Sequence, residues 1–266
     1  MRIRDWFCTG VVGLLIGGCA GMQTGVSPET KAAVAPAGKL RVAFLLVPIY
    51  ATKDSATGEL KGVAIDLGKE VAQRIGVPFE PVIYPNPPAL IGGAKSGDFD
   101  VALMGINAER AAAMDFSAPY METEQGYLVR AGVPIATASD VDKAGIRIVV
   151  LEKGGMDLHL SSTVKNAELV RAKSGAEIYA LLDTGKADVV AGAKAALFTG
   201  AASRPNSRVL EGRIFAEPLG MGVPKGRNAA AAVYVGKFVE EAKAEGLVKS
   251  AIERAGLRGV VVAPLK

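Results

Sequence analysis

The residues able to do chemistry are concentrated at positions 97–120, GDFDVALMGINAERAAAMDFSAPY. Residues 101–104 are a short apolar run, Gly105 permits a tight turn, and Asn107 starts a helix, because its side-chain oxygen can accept from a first-turn N–H. The unpaired N–H groups of such a helix start attract anions. Arg110 adds a fixed cation whose planar fork matches a carboxylate at two points. Gly105, without a side chain, lets a ligand approach the backbone closely. These are the parts of a carboxylate clamp. An ordinary strand–turn–helix with a surface arginine has the same spacing, and spacing alone does not separate the two.

A second junction of this kind is Lys153-Gly154-Gly155-Met156, between an apolar run and a helical stretch. Its helix start is another place for an anion. Lys153 either brings a second positive charge there or is a solvated surface lysine. His159 is the only histidine, and Cys8 and Cys19 are the only cysteines, so a multi-histidine or Cys/His metal site is excluded. No cofactor is expected. Asp66 and Asp115 lie near helix starts and turns and are expected to cap or pair. The net charge of +4 is modest, and no basic block carries interleaved aromatics, which argues against a nucleic-acid partner.

With 266 residues, half of them hydrophobic, the chain can bury a large core or two smaller ones. Residues 1–19 are set apart: Arg2 and Arg4 precede an apolar run too short to span a bilayer, followed by Gly17-Gly18-Cys19. This is a secretory signal, and Ile16 to Cys19 looks like a bacterial lipobox in which Cys19 is acylated; a signal without lipid is the alternative. Residues 20–37, rich in small residues and Pro, are expected as a flexible tether. A mature chain with Cys19 alone has no disulfide and depends on its core.

The clamp needs elements to hold it. Residues 40–47 are a near-continuous apolar run, as for a strand buried on both faces. Leu67, Val71 and Ile75 form a helical stripe ended by Gly76. A strand at 82–84 and a helix at 90–95 follow, and the alternation argues for an α/β layer sheet. A second round has strands at 146–151 and 167–171 and helices at 156–164 and 176–182. Residues 185–190, GKADVV, echo 97–102, GDFDVA. The echo suggests two lobes of similar plan: residues 38–121 with 218–266, and residues 122–217. Residues 120–124 lead out and 215–218 lead back, an arrangement that permits hinged closure on a ligand. Residues 228–255 are expected to be helical, with a break at Gly246.

Several stretches together resemble the extracytoplasmic solute-binding proteins of family 3: GKLRV from Gly38, GELKGVAIDL from Gly58, GDFD from Gly97, Glu109-Arg110, and DFSAPY from Asp115. The resemblance implies a two-lobed periplasmic binding protein type II fold, each lobe a mixed sheet flanked by helices. It implies a binding protein of an ABC importer, partnered by a small anionic or zwitterionic solute and an inner-membrane permease. The protein would be monomeric, periplasmic or at the cell surface, and held to the membrane by its N-terminal lipid. Carried over residue by residue, it makes Arg110 the carboxylate-binding arginine and Tyr50 the aromatic that packs on the solute, while Asn107 replaces a more usual Thr. Binders of ordinary amino acids in this family place an acid five positions after the Asp of the second GxxD element. Here that position is Ala193, so the ammonium acceptor is missing and a carboxylate or other anionic solute is the expectation. A second reading is a cyclohexadienyl dehydratase on the same fold, which needs a general acid in the cleft beside the clamp; Glu152 and Lys153 are expected near such a position, but nothing in their spacing marks them as an acid–base pair. A third is a sensor or scaffold lipoprotein without transport.

Overall fold

The structure is a computed structural model and describes residues 26–266. The signal sequence and Cys19 lie outside the described residues. Part of the expected tether is ordered: Pro28–Val34 is a helix, α1, capped by the Ser27 hydroxyl, with Pro28 in its first turn. Val34 is buried, and the Lys31 ammonium donates to the Gly76 carbonyl at 2.8 Å, which docks this helix on the body.

Eight strands make the main path of one continuous sheet of eleven. In chain order they are β1 (Leu40–Leu45), β2 (Phe79–Tyr84), β3 (Val101–Gly105), β4 (Met121–Val129), β5 (Arg147–Leu151), β6 (Glu168–Ala172), β7 (Val189–Ala193) and β8 (Ala216–Pro224). Their spatial order is β2-β1-β3-β8-β4-β7-β5-β6. One half, β2-β1-β3, is parallel and is closed by antiparallel β8. The other, β6-β5-β7, is parallel and is closed by antiparallel β4. The same plan is thus built twice, as the sequence echo suggested. The two crossings, β4 and β8, run antiparallel side by side where the halves meet, with Ala216 opposite Glu124 and Leu219 opposite Met121.

Helices cover both faces: α2 (Val63–Ile75), α3 (Pro87–Ser96), α4 (Ala108–Ala111), α5 (Gly155–Thr163), α6 (Gly175–Asp183), α7 (Lys194–Ala202), α8 (Ala229–Ala244) and α9 (Leu247–Arg254). The stripe Leu67, Val71, Ile75 is buried, and Gly76 ends α2 in the left-handed conformation at φ 66°. Helix α3 starts earlier than expected, at Pro87. Asn86 caps it through Ala89 N–H, and a proline in the first turn gives up an N–H that had no partner there. No described helix is long and apolar enough to cross a membrane.

The GxxD echo has a structural cause. In the first lobe, Asp100 accepts from the backbone N–H and the guanidinium of Arg41 at the head of β1, and Arg227 joins it at 3.2 Å. In the second, Asp188 accepts from the backbone N–H and guanidinium of Arg147 at the head of β5, and Arg130 joins it at 3.0 Å. Burial pushes the Asp188 carboxyl up, but the two arginines outweigh it and hold it below its ordinary value. Asp66 and Asp115 also pair, with Arg254 and Lys225. Asp100→Ala strands Arg41 and Arg227 beside a lost counter-charge. It should cost about 3 kcal/mol of stability in urea unfolding, the low end for a broken buried pair because both arginines are partly exposed. A cost under about 0.5 kcal/mol, typical of a surface pair, would contradict this.

Candidate ligand-binding site

The turn after β3 forms as its sequence dictates. Asn107 takes the extended N-cap conformation, and its side-chain oxygen accepts from Arg110 N–H at 2.9 Å. This capping fixes the start of α4 and sends the Arg110 side chain back under Gly105. There Nη1 donates to the Gly105 carbonyl at 2.8 Å, and the Gly105 N–H donates to the Tyr50 hydroxyl at 3.0 Å. Burial pushes the Tyr50 phenol up, so it stays neutral. Arg110 is 3% exposed. A guanidinium this deep needs a counter-charge and filled hydrogen bonds.

The counter-charge is Glu217, on crossing strand β8. Its Oε1 lies 3.3 Å from Arg110 Nη1, and Oε2 accepts from Gln125 Nε2 at 2.9 Å. Gly105 and Gly155 are glycines because this carboxylate needs their space. A Cβ on Gly105 would fall 2.2 Å from Oε1, and one on Gly155 would fall 2.6 Å from Oε1 and 2.7 Å from Oε2. Gly155 is the first residue of α5, so the positive end of that helix faces the same carboxylate. Arg110 also reaches the second lobe directly, with Nη2 donating to the Lys153 carbonyl at 3.2 Å. That carbonyl is aimed by a left-handed residue, Lys153 at φ 55°, whose N–H donates to Asp157 at 2.8 Å.

The two lobes close over a cavity of about 280 Å³. Of the residues singled out in the sequence, Tyr50, Arg110, Gly154, Gly155, Met156 and Ala193 line it. Gly105 and Asn107 sit behind the wall and position Arg110. Lys153 has the exposed side chain of a solvated surface lysine, the second of its two readings, and its carbonyl, not its ammonium, turns inward. Glu152 does not line the cavity either. His159 packs on Phe215 at 5.0 Å between ring centroids. The sequence reading missed Glu217, Gln125 and an apolar wall from residues 45–49 together with Ile178, Val190 and Leu197. Glu217 was legible in part, since it lies in the segment assigned to the return crossing.

The chain belongs to the bacterial extracellular solute-binding proteins, family 3, whose sequence model matches residues 46–255. It is 28% identical to the ABC transporter glutamine-binding protein GlnH of Bacillus subtilis over 191 residues, covering 69% of this chain and 68% of that one. Among solved structures it is similar to a mutant of ArgBP from T. maritima, with TM-score 0.76 and 25% identity over 85% of this chain and 99% of that one. It is also similar to the ancestral amino acid-binding protein AncCDT-1, a precursor of cyclohexadienyl dehydratase, with TM-score 0.72 and 25% identity over 85% of this chain and 98% of that one. The two solved structures share the two-lobed mixed-sheet fold described above.

Burial pushes the Glu217 carboxyl above its ordinary value, and Arg110 beside it pulls part of the way back. A raised carboxyl contributes stability that is full below the ordinary value of 4.5 and is lost as pH rises through the folded-state value. Glu217→Gln has no such titration, so its stability relative to the parent protein should increase with pH across that window. Unfolding curves at a series of pH values test this, and a difference that does not vary with pH would contradict it.

Proposed function

We propose that this chain is the solute-capturing component of an ABC importer, closing its two lobes around one small solute of amino-acid or organic-acid size. The observation that carries the reading is the cavity walled by both lobes, with buried Arg110 at one end. Residues 38–121 with 218–266 act as one body and residues 122–217 as the other, with the paired crossings as the hinge. Contacts made across the cavity favour the closed form, so affinity and closure draw on the same free energy. A monomer held outside the cell by a lipid on Cys19, handing the solute to a membrane permease, completes the reading.

The carboxylate expected from the sequence pattern would reach Arg110 by moving Glu217 aside. One observation favours a second reading, a dehydratase of the cyclohexadienyl type. Glu217 is a partly buried carboxyl with a raised pKa in the cleft, as a general acid requires. Turnover of prephenate or arogenate would support it.

The capture reading is tested by mass spectrometry of small molecules that co-purify with the protein, followed by calorimetry with the solute found. Arg110→Ala removes the donor to the Lys153 carbonyl and leaves Glu217 without its counter-charge. Affinity should fall by roughly 2–5 kcal/mol, and unchanged binding would remove Arg110 from the site.

A further inference from the structure

Arg110 and Glu217 set opposite charges side by side in the cavity wall, and neither is saturated. Three of the five guanidinium N–H groups are engaged, by the Gly105 carbonyl, Glu217 and the Lys153 carbonyl. One N–H on Nη2 remains, and so does Nε, which is buried without a partner among the described residues. The pair itself is loose. Oε1 lies 3.3 Å from Nη1, beyond the reach of about 2.7–2.9 Å of a strong charge-assisted bond, whereas Oε2 is held by Gln125 at 2.9 Å. The carboxylate can therefore turn about its Gln125 bond and take Oε1 away from Arg110 without leaving the cavity. We infer that Glu217 binds the ammonium of the solute while Arg110 binds its carboxylate, and that the cavity selects an α-amino acid with an apolar side chain. This rests on the solute-capture reading above and narrows it.

A zwitterion is the solute that satisfies both charges. A carboxylate alone sets two anions on one guanidinium, and an ammonium alone sets two cations on one carboxylate. An α-amino acid carries both groups on one carbon, so it can enter between the two side chains and replace one ion pair by two. The other carboxylate of the cavity, Asp157, is committed to Arg171 at 2.9 Å and to the Lys153 N–H, which leaves Glu217 as the acceptor.

The strand register shows how Glu217 stands in for an acid at Ala193. Ala193 lies opposite Gln125 on β4, and the Gln125 amide is the group that holds Glu217 on the next strand, β8. The acid absent from the end of β7 is thus supplied two strands away, in the wall of the same cavity. With that acid in place, the ground for expecting a purely anionic solute is gone. The rest of the wall, including Leu46, Val47, Ile49, Ile178, Val190 and Leu197, is apolar and penalises a polar or charged solute side chain.

The test is calorimetry at neutral pH on the full chain with four compounds: leucine, 4-methylpentanoate without its amino group, 3-methylbutylamine without its carboxylate, and glutamine with a polar side chain. Leucine should bind at least about tenfold more tightly than each of the others. Glu217→Gln and Glu217→Ala should each lose about tenfold or more on leucine while 4-methylpentanoate binds as before or more tightly. Leucine that does not bind, or is matched by any of the other three, overturns the inference, and so does a folded Glu217 variant that keeps the parent's affinity for leucine. The parent comparison decides even where a variant folds poorly. Failure of solute capture is a different result, in which no small molecule co-purifies with the protein. A co-purifying solute that is not an apolar amino acid overturns this inference and leaves capture standing.

Discussion

A guanidinium that is 3% exposed cannot stay in an apolar interior without a counter-charge, and much of the local design follows from that requirement. Arg110 comes from the turn after β3, Glu217 from the return crossing, and the Lys153 carbonyl from the second lobe. Three parts of the chain that are distant in sequence are therefore fixed around one charge pair. The glycines at 105 and 155, the left-handed backbone at Lys153 and the Asp157 bond that holds it are what this pair demands of its surroundings.

Each lobe solves its own internal problem separately. Asp100 with Arg41 and Asp188 with Arg147 tie the end of a helix–turn segment to the head of the first strand, by the same three bonds in each lobe. These anchors are internal to each lobe. Separate from these anchors are the contacts across the gap, Arg110 to the Lys153 carbonyl and Asn86 to the Lys173 carbonyl.

The fold was legible in the sequence where one physical signal dominates. The apolar run of β1, the stripe and terminal glycine of α2, and the repeated GxxD element each have a single local reading. Arg110 was legible because capping and charge lie within four residues of each other. Its partner was legible only as part of the return crossing, since Glu217 is 107 positions away and looks like any surface acid until the crossing strands pair. At Lys153 the contact was illegible for the opposite reason: a charged side chain draws notice, whereas the group that meets Arg110 is a carbonyl set by backbone conformation. The early start of α3 at Pro87 and the ordered α1 show proline and small residues acting as helix starts where composition suggested breaks and tether.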